Sequence, residues 1–282
     1  MGYITLLGTK GGPAIRQEGA LPTASLMHFA DQTVLIDCAI GATRSVVDSG
    51  TGLLDLDAIY ITHLHSDHVL ELGPLLYTAW TTGLGRPITV YGPEGIEEYW
   101  QGFLSAMSYD YAIRRADEGR PSLKDLVRVV TYGAGPLEDL GPLRVSALRV
   151  EHPPVTECYA LKFEAQDKRV VFSSDTCYFP PLADFAHQAD VLIHEAMLTT
   201  GVDRLIERTP GAKRLREHLM ASHTAADEVG QIAATARVKH LVLNHLIPAD
   251  DPDFGDADWQ QEVAKTWNGR MTVGHDTMTI TF

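Results

Sequence analysis

The stretch Thr62-His63-Leu64-His65-Ser66-Asp67-His68 constrains this chain more than any other. Three imidazoles and a carboxylate fall within six residues, directly after the apolar run Ala58-Ile59-Tyr60-Ile61. Imidazole nitrogen and carboxylate oxygen together suit Zn²⁺, Fe²⁺ or Mn²⁺. A strand ending near Ile61 delivers the cluster to the edge of a sheet, where open α/β sheets build their sites. In extended chain His63 and His65 point the same way, because side chains repeat every second residue. Asp67 and His68 then need only a turn or the start of a helix to face a second point nearby. That spacing suits two adjacent metals better than one.

Three further residues have the same local form, a metal-ligating side chain just beyond an apolar strand. His152 follows Arg149-Val150 and precedes Pro153-Pro154, which break regular structure. Asp175 follows Val170-Val171-Phe172-Ser173-Ser174, and His245 follows Leu241-Val242-Leu243-Asn244.

The remaining pattern alternates strands and helices without a linker, which predicts one α/β domain over residues 1–282. Strands are expected at Tyr3–Leu7, in a hairpin around Asp31-Gln32, at Asp57–Thr62, Ile88–Tyr91, Leu126–Tyr132, Leu143–Val150, Tyr159–Glu164, Arg169–Ser173, Val191–His194 and Leu241–Leu243. A closing hairpin is expected over Met271–Phe282. Helices are expected at Ala42–Asp48, His68–Thr81, Pro93 to about Met107, Thr224–Ala236 with Thr224 as its cap, and Asp256–Trp267. Two charged stretches, Tyr109–Asp125 and Gly201–Met220, read equally well as lids over a site or as exposed helices.

Charge and cysteine content narrow the partners. The formal net charge is −14, from 23 basic and 37 acidic residues, and the longest basic run, Lys213-Arg214-Leu215-Arg216, is flanked by Glu207 and Glu217. Such a surface repels phosphate backbones unless its positive charge is concentrated. Cys38, Cys158 and Cys177 form no C-x-x-C pair, and the start Met1–Leu7 lacks a basic leader region. The expectation is a reduced, cytoplasmic compartment with no membrane association.

The motif set resembles that of metallo-β-lactamase-fold hydrolases. In that family a T-H-x-H-x-D-H motif, a later His, an Asp and a last His bind two metals, and here these match Thr62–His68, His152, Asp175 and His245. The resemblance covers nearly the whole chain. It implies a four-layer αββα sandwich with a dinuclear site at one edge, holding two divalent ions, Zn²⁺ first and Mn²⁺ or Fe²⁺ otherwise. By that carry-over His63, His65 and His152 bind one ion, Asp67, His68 and His245 the other, and Asp175 bridges them through its two oxygens. A hydroxide between the ions is the implied nucleophile, positioned by Asp67.

Within the family the chain looks most like the branch of ribonuclease Z and its arm-less relatives. Leu7-Gly8-Thr9 resembles that branch's L-G-T-G, His194-Glu195-Ala196 its H-E-A, and His223-Thr224 its H-S-T. The branch implies that His223 stabilises developing negative charge or protonates the leaving oxygen, oriented by Glu195. The departure is the gap of 23 positions between His152 and Asp175, which leaves no room for a tRNA-gripping arm. The expected substrate is therefore a small molecule with an ester-type bond (aryl sulfate, phosphodiester, carboxylic ester or lactone), and nucleic acid is disfavoured. Trp80, Tyr99, Trp100, Tyr109 and Tyr111 are candidate pocket walls. A ribonuclease Z-like activity on RNA and a β-lactamase are the alternative readings. The resemblance also admits a homodimer, which the residues neither require nor oppose.

Overall fold

Strand pairing follows the alternation of apolar residues, and the result is two facing mixed sheets. In the computed structural model, which describes residues 2–282, the first sheet holds β1 (Tyr3–Gly8), β2 (Ala24–Phe29), β3 (Gln32–Ile36), β4 (Ala58–Tyr60), β5 (Ile88–Gly92) and β6 (Val127–Thr131). The second holds β7 (Gly135–Pro136), β8 (Arg144–Arg149), β9 (Tyr159–Ala165), β10 (Lys168–Phe172), β11 (Val191–Met197), β12 (Leu241–Ile247) and β13 (Met271–Val273). The last strand, β14 (Thr279–Thr281), returns to the first sheet beside β1. The orders are β14-β1-β2-β3-β4-β5-β6 and β13-β12-β11-β10-β9-β8-β7. Each sheet has an antiparallel half and a parallel half; β3 to β6 and β10 to β13 are the parallel runs.

Successive residues feed different layers, as the pleat requires. Ala58 and Tyr60 point between the sheets while Ile59 points outward; Val170 and Phe172 point inward while Val171 points outward. The inter-sheet core includes Ile4, Met27, Tyr60, Phe163, Phe172 and Ile193. Helices Ala42–Asp48, Leu72–Thr81 and Ile96–Ala106 cover the outer face of the first sheet through Val46, Leu75, Trp80 and Trp100. Helices Pro181–Phe185, Ala226–Ala236 and Asp256–Val263 cover the second through Leu182, Val229, Ile232 and Trp259. Helices lie outside and sheets inside, the αββα sandwich that the motif resemblance implies. β11 and β12 are buried along their whole length, as expected of parallel strands covered on both faces. Among the described residues no helix is long and apolar enough to cross a membrane.

Most expected elements form within a residue or two, and the exceptions have local causes. The helix expected over His68–Thr81 is two helices, Ser66–Val69 and Leu72–Thr81. The break is fixed by Cys38, whose N–H donates to the His68 carbonyl and whose carbonyl accepts from Glu71 N–H. The final hairpin does not form: β13 joins β12 and β14 joins β1, so the alternating pattern gave the strands but not their partners. Thr224 does not cap the next helix; its hydroxyl donates to the Thr176 carbonyl, and Ala225 precedes the helix instead. Helix Asp256–Val263 stops short of Trp267. Met1 lies outside the described residues.

Candidate metal centre

The parallel strands release the chain at one edge of the sandwich, and the candidate ligands gather there. After β4 the backbone stays extended to His65 (φ −65°, ψ 149°), which keeps His63 and His65 on one side. The one-turn helix Ser66–Val69 then turns Asp67 and His68 inward, both buried. His152 and Asp175 follow β8 and β10. His245 is placed differently from the sequence expectation. β12 continues to Ile247, and its pairing with β11 skips from Asn244↔Glu195 to Leu246↔Ala196. His245 is the extra residue of a bulge, with φ +43°, and the bulge aims its ring at the site. Gly11 is what allows the N-terminal loop to close over that ring: a Cβ there would lie 2.4 Å from Ile247 and 3.0 Å from the imidazole.

Partners outside the cluster fix the imidazole tautomers. Thr62 Oγ1 donates to Asp37 Oδ2 at 3.0 Å, so it can only accept from His63 Nδ1 at 3.2 Å. His152 Nδ1 donates to the Ser222 carbonyl at 2.9 Å, and His68 Nδ1 to Asp37 Oδ2 at 2.8 Å. In each neutral ring Nε2 is left with a lone pair pointing into the cluster. Those lone pairs converge. His63 Nε2 and His152 Nε2 each lie 3.1 Å from His65 Nδ1. Asp175 Oδ2 lies 3.9 Å from both of these Nε2 atoms, 3.3 Å from His68 Nε2 and 3.1 Å from His245 Nε2. Asp67 Oδ2 lies 3.4 Å from His245 Nε2 and 3.7 Å from His68 Nε2, and accepts the Gly12 N–H at 2.9 Å.

Two sets of donors therefore meet at one oxygen: His63, His65, His152 and Asp175, and Asp67, His68, Asp175 and His245. The sequence expectation had Asp175 divide its two oxygens between the ions; the geometry turns Oδ2 alone toward four imidazoles and leaves Oδ1 buried without a partner. His68 Nε2 and His245 Nδ1 are likewise buried without a hydrogen bond.

The electrostatics agree with a cation site. Burial pushes His63 well down, aided by the neighbouring His68, and brings His65 and His152 down to about 4. These rings are neutral at pH 7, as ligands must be. Burial is the largest influence on His68 and His245 and opposes their charge, yet Asp175 together with Asp37 at His68 and Asp67 at His245 outweighs it and raises both above their ordinary range. Buried carboxylates thus demand positive charge here, and converging lone pairs offer nitrogen to hold it. The donor set fits divalent metal.

Beside this cluster stands a second arrangement. His223 Nδ1 lies 3.1 Å from both oxygens of Glu195, and Thr176 N–H donates to Glu195 Oε1 at 2.8 Å. Burial pushes the Glu195 carboxyl well up, with the Asp175 charge adding to it, and brings His223 down to about 4. Both shifts favour the neutral carboxyl–imidazole form of the pair over the ion pair.

The cluster forms one wall of a cleft of about 300 Å³. The loop Lys10–Arg16 forms another, and Leu205, Thr209, Leu215, His218 and Leu219 a third. Of the two charged stretches, only Gly201–Met220 reaches the site. None of the five aromatic candidates lines it. Trp80 and Trp100 are buried in the outer core, Tyr99 and Tyr111 pack against that core, and Tyr109 is 81% exposed. Sequence reasoning also missed Asp37, Gly12 and His218. Only Asp37 left a trace, in the strand Leu35-Ile36-Asp37-Cys38, which matches the family's pattern although that match gives it no role.

Comparison with known proteins agrees with this fold. Residues 3–235 match the family model described as anti-Pycsar protein Apyc1. A ribonuclease Z of Mycobacterium bovis is 31% identical over 276 residues, covering 97% of this chain and 95% of that protein. The crystal structure of the metallo-β-lactamase fold protein YhfI from Bacillus subtilis superposes with a TM-score of 0.74 at 22% identity, over 99% of this chain and 98% of that one. Human tRNase Z, short form, gives 0.70 at 21% identity, again over 99% and 98%.

Proposed function

The chain belongs to the family described as anti-Pycsar protein Apyc1 and is a metal-dependent hydrolase of metallo-β-lactamase fold related to ribonuclease Z; from that premise we propose that it is a two-metal phosphodiesterase. The observation that carries the reading is Asp175 Oδ2, one carboxylate oxygen standing within 3.9 Å of four imidazole nitrogens from both ligand sets. His63, His65, His152 and Asp175 would hold one ion, and Asp67, His68, His245 and Asp175 the other, with zinc the natural occupant of so nitrogen-rich a set. Such a pair supplies activated water and neutralises charge on phosphoryl oxygens.

The chain's own groups do the rest. Asp37 holds Thr62 and His68 and so keeps two ligand tautomers fixed. The Gly12 N–H orients Asp67. His223 turns Nδ1 to the Glu195 carboxyl, so its ring proton lies on Nε2; that proton goes to the departing alkoxide and the Glu195 proton passes to Nδ1. The ribonuclease Z names among the relatives favour a phosphodiester over the sulfate, carboxylic ester and lactone that the motifs alone left open. RNA is the second reading, carried by the 31%-identical relative; against it, β9 and β10 turn back through only Gln166 and Asp167, with no arm between them.

A panel of bis(4-nitrophenyl) phosphate, 4-nitrophenyl sulfate, a 4-nitrophenyl ester and a lactone, each with zinc, manganese and iron, tests the proposal. Turnover of the phosphodiester alone supports it. Preference for the sulfate, ester or lactone refutes it. Oligonucleotide cleavage that falls steeply with salt would establish the RNA reading.

A further inference from the structure

His218 is the one imidazole on the cleft wall that belongs to neither ligand set nor to the Glu195 pair. It sits on helix Leu215–Ser222, half-buried, and its ring stands edge-on to His65, His152 and His223 at centroid distances of 6.4, 6.1 and 5.9 Å. Its tautomer is set by the same device that sets the ligands. Ser222 Oγ gives its proton to the Pro153 carbonyl, so toward His218 Nδ1, 3.3 Å away, it can only accept. Nδ1 therefore carries the ring proton and Nε2 a lone pair. Among the described residues that Nε2 has no partner.

A bare lone pair repels phosphoryl oxygen and attracts a donor. The ring stands beside the ligand imidazoles on the same cleft, where a substrate group flanking the phosphoryl centre would pass. The rest of that wall is Leu205, Leu215, Leu219 and Thr209, whose hydroxyl gives its proton to the Leu205 carbonyl, so His218 is its only imidazole acceptor. Resting on the phosphodiesterase reading, the geometry points to His218 as a specificity-determining residue that accepts, through Nε2, a hydrogen bond from a hydroxyl adjacent to the scissile phosphodiester. Ser222 is its positioning residue. The same Ser222 receives His152 Nδ1 on its carbonyl, so one residue at the end of the lid helix orients both a metal ligand and a substrate contact.

Uridine 3′-monophosphate and 2′-deoxyuridine 3′-monophosphate differ only in that hydroxyl. Titration calorimetry of both into zinc-loaded protein reads the preference without turnover. The wild type binds the hydroxyl-bearing nucleotide about tenfold more tightly, the worth of one neutral hydrogen bond. His218→Ala brings the ratio to one, His218→Gln retains part of it through the amide oxygen, and Ser222→Ala narrows it by releasing the tautomer. Zinc content and thermal unfolding on the same samples identify any variant that fails to fold. Equal affinities in the wild type, binding of neither nucleotide, or a preference that survives His218→Ala overturns the inference. Bis(4-nitrophenyl) phosphate carries no hydroxyl, so its turnover by the wild type judges the phosphodiesterase reading separately.

Discussion

Two polar excursions leave the sandwich, Ser108–Leu126 and Thr199–Ser222, and they serve opposite ends of its economy. Both are helical and strongly charged. Helix Ser108–Glu118 has no buried residue, yet the segment is pinned to the main outer core: Tyr111 packs on Trp80 at 5.2 Å, Tyr77 donates to Asp110, and Trp80 Nε1 donates to the Pro121 carbonyl. The second segment has a small core of its own, Val202 and Leu219 with Met197 and Ile247, set directly on the strand ends that carry the site. Its polar residues are tied to the loop after β12 by Arg204–Asp251 and by Arg208 to the Asp250 carbonyl. Polarity therefore does not distinguish a lid from a surface helix. What distinguishes them is the core that receives their few apolar side chains.

The comparison can be broken by mutation. The largest effect is set by the centre itself: Asp175→Ala should abolish phosphodiester turnover and lower metal content, because both ligand sets lose their common oxygen. Retention of metal and full activity would sink the two-metal reading. Next is His223, which closes the lid segment at its C-terminal end; His223→Ala should lower kcat by about 10² to 10⁴, the range for a positioned proton donor, with metal content intact. A pH–rate profile of that variant should lose one limb.

The two cores then separate stability from activity. Trp80→Ala should cost about 3–5 kcal/mol of global stability, read by denaturant unfolding, while the folded fraction keeps its KM. Leu219→Ala should cost about 2 kcal/mol, the low end for a buried leucine, since its four-residue cluster is small and can collapse. Its signature is a raised KM. If Leu219→Ala moved only stability, or Trp80→Ala moved KM, the contrast between the segments would fail. The smallest effect belongs to the lid's surface ties. Arg204→Gln should cost less than about 1 kcal/mol, because Arg204 is 47% exposed and Arg208 remains 3.8 Å from Asp251.

Much of the site was legible because its spacing is local. His63, His65, Asp67 and His68 are carried by one strand exit, where period-two geometry and a single helical turn decide direction. The strand-end positions of His152 and Asp175 follow the same logic. The aromatics failed for a complementary reason: Trp80 and Trp100 obey helical periodicity, which sends them to the helix–sheet core and not to the cleft. His245 was legible as a member of the cluster but not in its placement, since a bulge is defined by two strands and appears in neither alone.

Sequence by itself determined the layer order and the donor types, since alternation and short-range geometry act within a few residues. Tertiary structure alone decided which residues hold those donors in register. Asp37 reaches His68 across 31 positions, Gly12 reaches Asp67 across 55, and Ser222 reaches His152 across 70. Each contact aligns or fixes a donor atom, and each joins loops that only strand pairing and packing bring together at one edge of the sandwich. The chain records which atoms can bind metal; the packing sets which lone pairs point there.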